Sequence, residues 1–229
     1  MAAPSVLQTA SRDSAGTMSL SHAANLQAIV CPNSCNNWWG WGSSVVYEGA
    51  SVPTLHKFYT GSNNPIDAQC QLDVLADLSG TSAPADSLVV GASGGEWKFK
   101  GMAIGHDEPL VIVDHGNTGY VSTGGNPFGV TMDPGNVDCL AIAMSISHPS
   151  HDEFYWGAMP GATKHWSLDY QRYDLTVMSM PVLAGSGPTL VGYLPAESWL
   201  TGWVAAVLLG PVGGASKKRG RPIFIMPGV

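Results

Sequence analysis

In Cys139-Leu-Ala-Ile-Ala-Met-Ser-Ile146 the large residues Leu140, Ile142, Met144 and Ile146 take every second position, with Ala141, Ala143 and Ser145 between them. A period of two marks a strand with one face in a core. The small side chains on the other face imply close approach by a second layer. Similar short runs occur at 26–30, 44–47, 54–59, 69–75, 87–91, 110–113, 128–132, 164–170, 174–181, 189–194 and 222–226. Turn clusters punctuate them, among them Glu48-Gly49, Gly94-Gly95, Asp133-Pro-Gly135 and Gly185-Ser-Gly-Pro188. Strands at this spacing with such breaks predict an all-β fold, an antiparallel β-sandwich of jelly-roll type. At most one short helix is expected, a turn at Ala196–Leu200 opened by Pro195 and leading into a strand at Val204–Leu209.

No linker or long repeat stands out in the letters. One sandwich over residues 1–229 is therefore the expectation, with a short N-terminal arm and a basic C-terminal segment; an alternative split lies near residues 80–86. Charged residues are only 12% of the chain, against roughly 25% in ordinary soluble domains. Surfaces buried between subunits are depleted of charge at their centre, so this composition points to a chain covered by neighbours. No apolar run reaches the roughly 18 residues of a membrane-spanning helix, and no membrane partner is expected.

Four of the ten basic residues are Lys217, Lys218, Arg219 and Arg221, leaving residues 1–216 with six basic against seventeen acidic side chains, net −11. An acidic body is a poor nucleic-acid surface. The basic segment is either a solvated linker or a contact for an acidic partner. The first residues lack the basic and apolar regions of a secretory signal, so synthesis in a cytoplasm is expected, with Cys31, Cys35, Cys70 and Cys139 as thiols. Cys31-Pro-Asn-Ser-Cys35 has the close spacing of some zinc sites, but no second Cys/His pair follows at the required distance. No metal and no cofactor are expected.

Candidate chemistry is sparse. His106-Asp107-Glu108 and His151-Asp152-Glu153, with His148 and Asp114-His115, combine imidazoles and carboxylates that could bind a metal or run acid–base chemistry. Neighbouring residues of a strand point to opposite faces, however, so these groups do not converge by themselves. Gly91-Ala-Ser-Gly-Gly95 has the spacing of a nucleophile elbow around Ser93, which works only where a strand turns into a helix. Here Glu96-Trp-Lys-Phe-Lys100 reads as another strand, making the glycines a hairpin. No catalytic residue is assigned, and the chain is read as a non-enzyme. The cluster Trp38, Trp39 and Trp41 beside Asn36 and Asn37 is the most unusual segment. Its tryptophans would stack on sugar rings, anchor a subunit contact or plug one end of the sandwich.

Val45-Val-Tyr-Glu-Gly-Ala-Ser-Val-Pro-Thr-Leu-His-Lys-Phe58, then Gln71-Leu-Asp-Val-Leu75 and Asp86-Ser-Leu-Val-Val-Gly-Ala92, resembles the β-sandwich modules of virion structural proteins of tailed bacteriophages. The resemblance covers about residues 43–92. It implies a capsid decoration or accessory protein, or a tail or spike part, present in the virion as a symmetric oligomer such as a trimer. Partners would be further copies of itself and other virion proteins such as a major capsid protein, with host-surface glycan as a further contact. Contact candidates are Trp38, Trp39, Trp41, Phe224 and Ile225, with Lys217, Lys218, Arg219 and Arg221 as basic ones. Pro222–Met226 would complete a sheet edge or add a strand to a neighbour. A carbohydrate-binding module built on the three tryptophans is the main alternative, and a hydrolase using the His-Asp-Glu segments is a third.

Overall fold

The computed structural model describes residues 3–20, 25–35, 42–59, 69–78, 86–119, 121–122, 128–148, 161–169, 173–194, 201–212 and 221–224. Nearly all their regular structure is strand, with no α-helix among the described residues. The turn expected at Ala196–Leu200 lies outside them. The chain divides into two compact units, Pro4–Val111 and Ile112–Val229 with Met1–Ala3. Each unit has its own pair of sheets where one sandwich was expected, and the alternative boundary near 80–86 falls on undescribed residues. The division instead falls inside a strand, which is why composition gave no linker to find.

The first unit contains β1 (Ser5–Asp13), β2 (Gly16–Leu20), β3 (Leu26–Cys35), β4 (Gly42–Tyr47), β5 (Ala50–Ser51), β6 (Thr54–Tyr59), β7 (Gln69–Ala76), β8 (Asp86–Ser93) and β9 (Trp97–Gly105). Its larger sheet has the order β1-β9-β3-β7-β6 and its smaller sheet β2-β8-β4-β5, with antiparallel ladders throughout. With β6 set aside as an added edge strand, this is the interlocked pair of Greek keys of a jelly roll. The expected N-terminal arm is in fact β1 and β2, an edge strand of each sheet. Between the sheets lie Leu20, Ile29, Cys31, Cys35, Val45, Tyr47, Leu88, Val90, Trp97 and Phe99, all buried.

The larger sheet of the second unit repeats the order of the first. The unit's strands are β10 (Leu110–Asn117), β11 (Val121–Ser122), β12 (Phe128–Met132), β13 (Cys139–His148), β14 (Thr163–Asp169), β15 (Asp174–Val182), β16 (Thr189–Leu194), β17 (Thr201–Pro211) and β18 (Arg221–Phe224). The larger sheet runs β10-β17-β13-β15-β14, with the short β11 also on β17, and the smaller runs β16-β12-β18. Strand for strand, β10, β17, β13, β15 and β14 occupy the places of β1, β9, β3, β7 and β6, while β12 and β16 take those of β2 and β8. The chain thus carries the larger sheet's strand order twice, while in the smaller sheet β18 flanks β12 and no described strand stands where β4 and β5 do.

The small-residue face of β13 is where the second layer approaches. A Cβ placed on Gly192 of β16 would lie 3.0 Å from both Ala143 Cβ and Val204 Cγ1. The Gly185 turn before β16 uses φ of 71°, a left-handed conformation that glycine adopts without steric cost. At the end of the chain β18 pairs with β12 of the same chain, Phe224 opposite Phe128 and Arg221 opposite Thr131. Of the two expected uses of that segment, this is completion of its own sheet.

Candidate functional site

Alternation along β3 sends Ile29, Cys31, Asn33 and Cys35 into the first sandwich. Their partners on β7 are Leu75, Asp73, Gln71 and Gln69. One half of this inward face is therefore apolar and the other half polar. The polar half is almost dry: Asn33, Asp73, Gln69 and Gln71 are all at most 2% exposed. Buried amides and carboxylates need partners, and here they find one another. Asn33 Nδ2 donates to Asp73 Oδ2 at 2.7 Å and to the Cys31 carbonyl at 3.1 Å, while Asn33 Oδ1 accepts from Ser43 Oγ at 2.8 Å. Gln69 Nε2 donates to Gln71 Oε1 at 2.9 Å, and Gln71 Nε2 to Thr54 Oγ1 at 3.3 Å. Because Ser43 belongs to β4, the network joins the two sheets. Asp73 Oδ1 alone meets no donor in hydrogen-bonding geometry. Burial pushes the Asp73 carboxyl up to about 6, against the opposing pull of Thr54, Asn33, Gln71 and the Lys57 charge.

The second sandwich is also polar at the matching place. Ser145 and Ser147 on β13 stand opposite Thr176 and Asp174 on β15. The hydroxyls of Ser145, Ser147 and Thr176 are buried without a hydrogen-bond partner. Nothing in the sequence pattern singled out either cluster. The only available signal was polar letters at inward positions of otherwise apolar strands.

The residues singled out for chemistry are placed as follows. Cys31 and Cys35 lie within β3, so four residues of extended chain, roughly 13 Å, separate them, and one metal ion cannot bridge that distance. All four cysteines are buried thiols. Burial pushes Cys31 and Cys70 well up, and burial with the Asp138 charge takes Cys139 to about 12. His106 sits in the turn after β9, where its Nδ1 accepts from the Glu108 backbone N–H at 3.0 Å. Asp114 receives the backbone N–H groups of His115 at 2.8 Å and Asp133 at 3.3 Å, so it fastens backbone. His151, Asp152 and Glu153 lie outside the described residues. Among the described residues no three His, Cys, Asp or Glu side chains converge on a metal position.

Ser93 ends β8, and the φ values of Gly94 and Gly95, 68° and 71°, turn the chain straight into β9. The following segment is a strand, as its letters required, but the expected hairpin is not formed: β8 and β9 belong to different sheets, and the two glycines carry the chain from one sheet to the other. A pair the sequence did not reveal is His165 Nε2 with Ser179 Oγ, 2.7 Å apart across β14 and β15. A bulge between Lys164 and Trp166 leaves His165 out of register. The pair has the reach of nucleophile and base, yet Ser179 is only 6% exposed and offers no open face to a substrate.

Trp38, Trp39, Trp41, Lys217, Lys218, Arg219 and Ile225 lie outside the described residues, and Phe224 and Arg221 are placed only through the β18 ladder. The described surface offers a different contact candidate. On the outward side of the β2-β8-β4-β5 sheet stand Thr17, Ser19, Ser44, Val46, Ser51, Ser87, Val89, Gly91 and Ser93, none of them charged. Thr17, Val89, Val46 and Ser51 form one row across the four strands, and Val89 is 42% exposed. No family model, curated protein or solved structure matches the chain.

Proposed function

We propose that the chain is a non-enzymatic structural protein of a virus particle, a capsid-associated decoration or accessory protein. It assembles through contacts with its own copies and with a shell partner such as a major capsid protein. Jelly rolls serve viral capsids and lectins alike, so the fold does not decide between them. What carries the reading is the outward side of the first unit's smaller sheet. A sheet face meant for water normally bears charged side chains among its polar ones. This one presents only hydroxyls, glycine and valine, which cost little to dehydrate and let a neighbour approach closely. Burying such a face between subunits excludes water without stranding a charge.

Light scattering over a range of concentrations tests this on the full chain and on Val89→Lys, with folding of both checked by circular dichroism. Mass should rise with concentration for the unmodified chain and fall back towards the monomer in Val89→Lys. A monomer at every concentration, unchanged by the substitution, would overturn the assembly reading. Glycan binding that Trp38→Ala abolishes while association is retained would move the assignment to a carbohydrate-binding module.

A further inference from the structure

We propose that Asp73 is a proton-operated clasp that sets how tightly the two sheets of the first sandwich hold together. The geometry is a relay. Asp73 on β7 holds Asn33 on β3 through Oδ2, and Asn33 holds Ser43 on β4 of the opposite sheet through its own Oδ1. Asp73 is thus the anchor of a side-chain path that crosses the core. Its other oxygen, Oδ1, meets no donor in full hydrogen-bonding geometry. Thr54 stands directly opposite Asp73 in the β6–β7 register, and its hydroxyl already receives the Gln71 amide.

A proton on Oδ1 changes the character of the anchor. The neutral acid becomes a donor with Thr54 Oγ1 across the ladder as acceptor, which satisfies that oxygen and removes a buried charge. Without the proton, a carboxylate that is 1% exposed keeps a full charge in the core, an expensive arrangement that the pull of Thr54, Asn33, Gln71 and Lys57 offsets only in part. The charged and titratable groups facing Asp73 are few among the described residues. From β3 comes the Cys31 thiol, held neutral by burial and by the Asp73 charge itself. From β6 comes Lys57, whose charge favours the ionised form. Neighbours Asn33, Ser43, Thr54 and Gln71 do not titrate.

The sign of the effect follows. The folded-state carboxyl is raised from 3.8 to about 6, so between these values the folded chain holds a proton that the unfolded chain has lost. Stability from this group is complete below about pH 4 and is lost as pH rises to about 6, a roughly hundredfold fall in the folded-to-unfolded ratio. The first sandwich should tighten on mild acidification, the reverse of ordinary acid denaturation.

Amide hydrogen exchange on the full chain at pH 5 and pH 7.5, corrected for intrinsic rates, reads the clasp strand by strand. Protection of β4 and β7 should be up to about tenfold greater at pH 5, the part of the full effect that lies between these two pH values. Asp73→Asn should remove most of that difference, and Ser43→Ala should remove it from β4 while leaving it in β7. Equal pH dependence in the unmodified chain and Asp73→Asn would overturn the proposal, and so would a β4 response that survives Ser43→Ala. Should Asp73→Asn not fold, carbon-13 NMR of the unmodified chain decides. An Asp73 carboxyl titrating near 6 supports the clasp, and a midpoint near 4 sinks it.

Discussion

At Gly192 the two sheets of the second unit approach closely, so Gly192→Ala tests the packing account directly. The new methyl would lie 3.0 Å from Ala143 Cβ and from Val204 Cγ1, where carbon atoms prefer roughly 3.5–4.0 Å. Ala143 Cβ is fixed to its backbone, and Val204 has one χ1 angle with restricted rotamers. Relief therefore requires the sheets to part locally by about half an ångström. Overpacking of this kind costs about 1–3 kcal/mol, and replacing a strand glycine returns about 0.5–1 kcal/mol. The net expectation is a loss of about 1–2 kcal/mol. Removing the opposing methyl in Ala143→Gly should by itself cost about 1 kcal/mol. The double variant should be more stable than the sum of the two losses by about 1 kcal/mol, since one of the two clashes has gone. Urea denaturation followed by tryptophan fluorescence measures each corner, with the buried Trp203 beside Val204 as a local reporter. A Gly192→Ala chain as stable as the parent, or strictly additive effects, would refute the close-layer account.

Two further expectations concern the cysteines and the β8–β9 turn. Because all four thiols are buried and resist ionisation, a thiol reagent such as DTNB at pH 8 should leave them unmodified in the folded chain and label all four in denaturant. Rapid labelling of the native chain would contradict their burial. Gly95→Ala should destabilise the first unit by about 1–2 kcal/mol, because φ of 71° is left-handed and a Cβ is costly there. Thermal melting checks this, and an unchanged midpoint would argue against the left-handed turn.

The sequence made the strands legible wherever one face is buried and the other is not. β6, β12 and β16 end where the alternation ends, at Thr54–Tyr59, Phe128–Met132 and Thr189–Leu194. β1 was missed because it is an edge strand whose residues are mostly half-exposed on both sides, so no clean period of two is imposed on it. The apolar run at 26–30 continues as strand through Cys31-Pro-Asn-Ser-Cys35, whose polar letters and proline carry no strand pattern. Proline lacks the N–H that a ladder uses, and the pairing with β9 indeed lapses after Val30 and resumes at Asn33. The inward polar network was illegible for another reason. Asn33, Gln71 and Asp73 come from strands about forty residues apart, and only the register reveals that they meet. The repeated strand order was hidden because it resides in connectivity rather than in letters.

Building the same larger sheet twice along a single chain has a hazard that the divergence of the letters helps to contain. A nascent β9 that met β13 instead of β3 would find a strand of equal length in the corresponding place of the other copy, and mispairing between neighbouring repeats is a common way for tandem proteins to go astray. Here the correct partner is set by particular matches, such as Trp97 opposite Cys35 and Phe99 opposite Asn33, whereas β13 offers alanine and serine at its inward positions. The dissimilarity that conceals the duplication from a reader thus also helps the chain tell its own halves apart.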